Sequence, residues 1–159
     1  MAVSVGDTIP DVEVRIPGDE GPVAAQTSDL LGSGKVVLFA VPGAFTPGCS
    51  KVHMPGFVQN KAELAAKGVD KVVCVSVNDA FVMGAWAADQ GATDITMMAD
   101  GNGTFTEAMG LVMDGSGFGL GSRSRRYAAI IEDGVISSLE VEPDGGVSIS
   151  SCEMVMERL

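Results

Sequence analysis

The sequence predicts an α/β fold, a mixed β-sheet with helices on both faces, built by a single domain over residues 1–159. Three observations point to it. Short β-branched apolar runs alternate with stretches of helical periodicity. Asp133-Gly134 lies between two such runs and is the strongest short hairpin signal in the chain. A chain of 159 residues, 46% of them hydrophobic, is long and apolar enough for one proper core.

Taken in order, Asp11-Val-Glu-Val-Arg-Ile16 alternates with period two, as an edge or half-buried strand does. Lys35-Val-Val-Leu-Phe-Ala-Val41 is a continuous apolar run suited to a central strand, and Pro42 ends it. The turn-rich stretch Pro42-Gly-Ala-Phe-Thr-Pro-Gly48 leads into Cys49. Beyond it, Val52, Phe57, Ala62, Leu64 and Ala65 support a helix ending near Gly68, which Pro55 should bend or split. Lys71-Val-Val-Cys-Val-Ser-Val77 reads as the third strand. Asn78 is the expected N-cap of a helix from Asp79 to Gly91, with Phe81, Val82, Ala85 and Trp86 as its apolar stripe. Ile95-Thr-Met-Met98 is a short strand, Asp100-Gly-Asn-Gly103 turns into a short helix from Thr104, and Asp114 to Gly121 is a glycine-rich loop. Arg126 to Glu132 and Val135 to Glu142 form the hairpin, and a last helix starts after Ser150 or Ser151.

Composition narrows the function. With 21 acidic and 10 basic residues, the formal charge of −11 repels nucleic-acid phosphates and anionic lipid headgroups, so neither nucleic acid nor a membrane is an expected partner. The longest apolar run, Val36 to Val41, is too short to cross a bilayer, and the opening residues carry no secretory signal pattern. Cys49, Cys74 and Cys152 are odd in number and form no Cys-x-x-Cys pair, which argues against a secreted disulfide framework. A reducing compartment is expected: the cytoplasm, or an organelle matrix if a transit peptide has been removed.

Cys49 stands where chemistry is expected. It follows a central strand and opens a helix, where backbone N–H groups and a nearby cation favour the thiolate, the reactive form of cysteine. Thr46, three residues earlier, is placed to bring its hydroxyl near the sulfur, and Pro42 and Pro47 stiffen the turn. A buried cysteine is otherwise a small apolar filler, and position alone does not separate the two. His53, the only histidine, lies four residues on and shares the face of Cys49 if the helix is regular there. It suits a structural or tuning role better than that of a hydrolase base, because nothing marks a third group to orient it. The scattered spacing of the cysteines and His53 argues against zinc.

The segment Pro42-Gly-Ala-Phe-Thr-Pro-Gly-Cys49-Ser-Lys-Val-His-Met-Pro-Gly-Phe57 closely resembles the active-site segment of peroxiredoxins of the type II subfamily. The likeness continues through Val75-Ser-Val-Asn-Asp-Ala-Phe-Val82, Arg123-Ser-Arg-Arg-Tyr127 and Val141-Glu-Pro-Asp-Gly145. It implies a thioredoxin-like fold and a thiol-dependent peroxidase that reduces hydrogen peroxide or organic hydroperoxides through a Cys49 sulfenic acid. Pro42 and Thr46 complete the family's Pro-x-x-x-Thr-x-x-Cys pattern, and Arg126 matches its active-site arginine. Backbone donors at Gly48 and Cys49 complete the set. Strand arginines are usually solvated or paired on a surface, the reading left for Arg123 and Arg125. Arg125 and Arg126 point to opposite faces, so at most one of them lines the pocket. The resemblance implies no cofactor and no metal, and a homodimer packed near the active-site face.

The sulfenic acid must be reduced, by a second cysteine or by an external thiol. Cys74 matches the second cysteine of plant and bacterial type II members, although its mid-strand position would demand local unfolding. Cys152 is offset from the C-terminal resolving position of mammalian members and ranks behind Cys74. Glutathione, glutaredoxin or thioredoxin is the expected reductant. The rival readings are a dithiol exchanger, which Thr46-Pro47-Gly48-Cys49 lacks the cysteines for, and a nucleotide loop at Gly115 to Gly121, which leads into a strand instead of a helix. In a different class stands a non-catalytic redox sensor or interaction module of the same fold.

Overall fold

The computed structural model describes all 159 residues. Strand β1 (Glu13–Gly18) turns back into β2 (Gly21–Gln26), and a short α1 (Thr27–Leu31) leads to β3 (Lys35–Ala40). The helical stretch after β3 comprises a π-turn (Cys49–His53), α2 (Met54–Gln59) and α3 (Lys61–Ala66). There follow β4 (Lys71–Ser76), α4 (Ala80–Gln90), β5 (Thr96–Ala99), α5 (Thr104–Met109), the small ribbon β6 (Val112–Asp114) and β7 (Ser122–Ser124), the hairpin β8 (Tyr127–Glu132) and β9 (Val135–Val141), and α6 (Cys152–Arg158).

Seven strands form one mixed sheet in the order β2-β1-β5-β4-β3-β8-β9. Only the β3–β4 and β4–β5 pairs are parallel. Side chains alternate across these central strands. Val37, Phe39, Cys74, Ala128 and Ile130 face a core layer completed by α2, α4 and α6. Val36, Leu38, Val73, Val75, Ala129 and Ile131 face the other layer, with Leu31 of α1 and Phe105 and Met109 of α5. The sheet therefore carries helices on both faces, as expected. No helix is long and apolar enough to cross a membrane. Asp133 and Gly134 take φ of +49° and +84°, the left-handed pair that a two-residue hairpin needs.

Four expectations require correction. β2 and α1 were not anticipated, because β2 is an exposed edge strand with Pro22 inside it and no alternating pattern. The glycine-rich loop is closed by the unforeseen β6–β7 ribbon. Helix α4 is capped by Asp79, whose carboxylate accepts the Val82 N–H at 2.8 Å, instead of Asn78, and its buried stripe is Ala80, Met83, Trp86 and Ala87, with Phe81 exposed. The helix after Cys49 divides next to Pro55, where the π-turn gives way to α2, as expected, but it breaks a second time at Asn60, which was not anticipated. The wide π-turn, in which the Met54 N–H bonds back to the Cys49 carbonyl, accommodates the proline ring that would clash in a regular helix.

Candidate active site

The chain leaves β3 at the edge of the core and is immediately tied down. The Asn78 side-chain oxygen accepts from the Ala44 N–H at 3.0 Å and from the Ser76 hydroxyl at 2.6 Å, fixing the loop to the end of β4. Thr46 donates its hydroxyl proton to the Gly43 carbonyl at 2.6 Å, which leaves the oxygen's lone pairs free to accept. Phe45, between them, holds a φ of +66°, a left-handed conformation that costs a bulky residue on the order of 1 kcal/mol and is retained at the rim of this site. Pro47 opens the helix, where its missing N–H leaves no bond unmade. On the far side of Cys49, Ser50 accepts the indole N–H of buried Trp86 at 2.9 Å, so α4 holds the π-turn in place.

Cys49 is fully buried, and its Sγ accepts a hydrogen bond from Arg126 Nη2 at 3.3 Å. A Cβ on Gly48 would lie 3.1 Å from that same nitrogen, so glycine is what lets the guanidinium approach the turn. Arg126 is 5% exposed and sits one residue before β8. Its Nη1 meets His53 Nδ1 at 3.0 Å, while Nε is buried without a partner. His53 Nε2 lies 2.9 Å from the Ser150 carbonyl. A carbonyl only accepts, so Nε2 carries the proton and Nδ1 accepts from Arg126. Burial, and then the adjacent Arg126 cation, lower the His53 pKa to about 4. The ring stays neutral at physiological pH, packed against the stacked pair Phe39 and Phe57 at centroid distances of 5.0 and 5.6 Å.

This shift has a sign that unfolding can read. The unfolded histidine takes up a proton below about pH 6.5, whereas the folded one resists until about pH 4. Its contribution is therefore complete above pH 6.5 and is lost as pH falls toward 4, by about 3 kcal/mol in all. Urea unfolding at pH 7 and at pH 4.5 should show that loss in wild type and not in His53→Gln, whose amide can accept from Arg126 and donate to Ser150 without titrating. An equal loss in both proteins would place the acid sensitivity elsewhere.

Thus Cys49, Arg126 and His53 come together, with Pro42, Thr46 and Gly48 shaping the turn. His53 shares the face of Cys49, as both meet the Arg126 guanidinium, His53 at Nη1 and the sulfur at Nη2. Arg125 points away and donates to the Glu142 carbonyl at 3.2 Å. Arg123 corrects the solvated-surface reading: its Nη1 donates to the Pro42 carbonyl at 3.3 Å and its Nε to the Leu120 carbonyl at 2.9 Å, joining the loop before β7 to the turn before Cys49. No local pattern signals the Ser150 contact, which spans 97 positions.

The two other cysteines line the same core layer as Cys49. Cys74 is fully buried in mid-β4 between Phe39 and Met97. Burial, with Cys49 nearby, raises its thiol pKa well above the ordinary range. Cys152 begins α6 against Gly56, and burial foremost pushes its thiol up to about 12. All three are free, and no group of three or more His, Cys, Asp or Glu side chains converges as a metal-ligand set.

Comparison with known proteins gives a consistent picture. The Redoxin family model matches residues 4–155. Peroxiredoxin-2E-2, chloroplastic, of Oryza sativa subsp. japonica is 46% identical over 163 residues, covering 99% of this chain and 72% of the relative. The crystal structure of reduced Prx3 in complex with H2O2 from Vibrio vulnificus superposes with a TM-score of 0.94 at 47% identity, covering 98% of each chain. The X-ray crystal structure of a putative thioredoxin reductase from Burkholderia cenocepacia has a TM-score of 0.96 at 44% identity, covering 100% of this chain and 99% of that one. A dithiol Cys-x-x-Cys motif is absent here.

Proposed function

The chain belongs to the redoxin family as a type II peroxiredoxin, a thiol-dependent peroxidase, and on that premise we propose that Cys49 is the residue that attacks the peroxide. Family membership makes it an enzyme and not only a sensor or docking module. The observation that carries the assignment is the 3.3 Å hydrogen bond from Arg126 to the Cys49 sulfur inside a buried, helix-opening turn.

In this reaction the Cys49 thiolate forms an S–O bond to one peroxide oxygen while the O–O bond breaks. The electron pair leaves on the second oxygen, which departs as hydroxide or alkoxide and takes a proton to become water or an alcohol. The Thr46 hydroxyl accepts a hydrogen bond from the peroxide O–H through its free lone pairs and orients the oxygen under attack, which keeps its proton in the sulfenic acid, and Pro42 shields the site from water. The first-turn N–H groups of Gly48 and Cys49, with the unpartnered Arg126 Nε–H, hold the developing negative charge. The Cys49 sulfenic acid is then attacked by an external thiol, forming a mixed disulfide and water, and a second thiol releases Cys49. Glutathione or glutaredoxin suits this better than the Cys74 relay, because Cys74 and Cys152 are both buried and burial favours their unreactive protonated forms.

A second copy of the chain is the proposed cover for the exposed aromatics Phe45, Phe81 and Phe118. Three unpaired cysteines suit a reducing compartment, the cytoplasm or an organelle matrix. The test of the peroxidase assignment is stopped-flow oxidation of the reduced protein by hydrogen peroxide, with the product trapped by a sulfenic-acid reagent and mapped by mass spectrometry. Fast, stoichiometric labelling confined to Cys49 is expected; labelling elsewhere, or slow oxidation, would overturn the assignment.

A further inference from the structure

Glu142 is buried at 2% exposure, and its carboxylate is wrapped by one short segment. It accepts from the Ser148 N–H at 2.7 Å, the Ser148 hydroxyl at 2.8 Å, the Ser150 N–H at 2.8 Å and the Ser150 hydroxyl at 2.7 Å. Its backbone N–H donates to the Arg126 carbonyl at 2.9 Å, continuing the β8–β9 ladder by one pair. Ser150, held by two of those four bonds, turns its own carbonyl to His53 Nε2. His53 in turn receives Arg126 Nη1.

These contacts close a ring. It runs from the Arg126 backbone to the Glu142 backbone, through the Glu142 carboxylate to Ser150, through the Ser150 carbonyl to His53, and back to the Arg126 guanidinium that touches Cys49. Resting on the peroxidase assignment above, we infer that Glu142 is a positioning residue for peroxide reduction, fixing Arg126 at both its main chain and, through Ser150 and His53, its side chain.

Three physical points support it. Burial pushes the Glu142 carboxyl up, but hydrogen bonds from Ser150 and Ser148 outweigh this and hold its pKa at about 2, so it remains an acceptor for all four donors. An apolar side chain in its place leaves the Ser148 and Ser150 N–H groups without an acceptor, whereas an amide could keep its oxygen toward them and donate its NH2 to the Ser148 hydroxyl. Arg126 would otherwise choose among rotamers, and a displacement of about 1 Å in a group that places the reacting atoms costs on the order of 100-fold. The segment has a second consequence. Ser151 caps α6 by accepting the Met154 N–H, so the same grip sets where that helix begins.

The single histidine makes the test direct, since nitrogen-15 NMR of the imidazole reports one ring. Wild type should show one tautomer, protonated at Nε2. In Glu142→Ala, the spectrum should show mixed tautomers and the second-order rate with hydrogen peroxide should fall about 10- to 100-fold, with the protein still folded by circular dichroism. Ser150→Ala, which removes only one donor, should show the same changes more weakly and carries the test should Glu142→Ala not fold. A folded variant with the wild-type tautomer and rate overturns the role of Glu142. Slow oxidation of wild type overturns the peroxidase assignment itself, independently of the variants.

Discussion

Cys49→Ser should reduce peroxide consumption to below roughly one part in 10⁴ of wild type, because a serine hydroxyl stays protonated where the thiolate is needed and the rest of the site supplies no nucleophile. The informative comparison is with the Cys74→Ala, Cys152→Ala double variant. Both side chains are buried, at 0% and 1% exposure, and Cys74 lies in a strand paired on both sides, the part of a sheet that opens last. Turnover with glutathione and glutathione reductase should therefore survive in the double variant at close to the wild-type rate. A loss of tenfold or more would mean that one of the two resolves the sulfenic acid, and the single variants would identify it. Neither substitution should alter the initial oxidation of Cys49 seen by stopped flow.

The parts legible in the sequence are those that obey a local rule. Lys35 to Ala40 and Lys71 to Ser76 are runs whose apolar character follows from burial on both faces of a central strand. Asp133-Gly134 is readable because only a left-handed pair makes that turn. What escaped depends on partners far along the chain. Phe81 looked like a core residue, but the Asp79 cap and the packing of Trp86 set the phase of α4 and leave Phe81 outside. No periodicity encodes the π-turn from Cys49 to His53. At the site, Cys49 was visible through its place after a strand, and Arg126 through the resemblance to the family. Glu142 and Ser150 are polar, distant in sequence and part of no repeat, so only the fold brings them to Arg126. Arg123 was misread because a donor to a main-chain carbonyl leaves no charge partner to look for.

Arg126→Leu should lower the second-order rate with hydrogen peroxide by about 10² to 10³-fold, the usual loss when a preorganised donor to developing charge is removed. In the proposed mechanism one guanidinium performs three tasks: Nη2 meets the sulfur, Nη1 meets His53, and the unpartnered Nε is left to meet the substrate. Lysine carries the charge but not the fork, so its single ammonium cannot reach the sulfur and His53 while leaving a donor aimed at a peroxide oxygen. Arg126→Lys should thus recover less than about a tenth of the lost rate, whereas a site that needed only positive charge would be largely restored. Stability offers the contrast. The Arg126→Leu change would leave His53 Nδ1 without its donor, a cost of about 1–3 kcal/mol, while removing the cation that opposes protonation of the ring. If Arg126 served the fold alone, both variants would lose stability while the folded fraction kept its rate. Dividing each peroxide rate by the rate of alkylation of Cys49 with iodoacetamide separates the cases. That neutral electrophile has no O–O bond to polarise, so the ratio should collapse in Arg126→Leu if the guanidinium holds the peroxide, and should stay at the wild-type value if it only orders the turn.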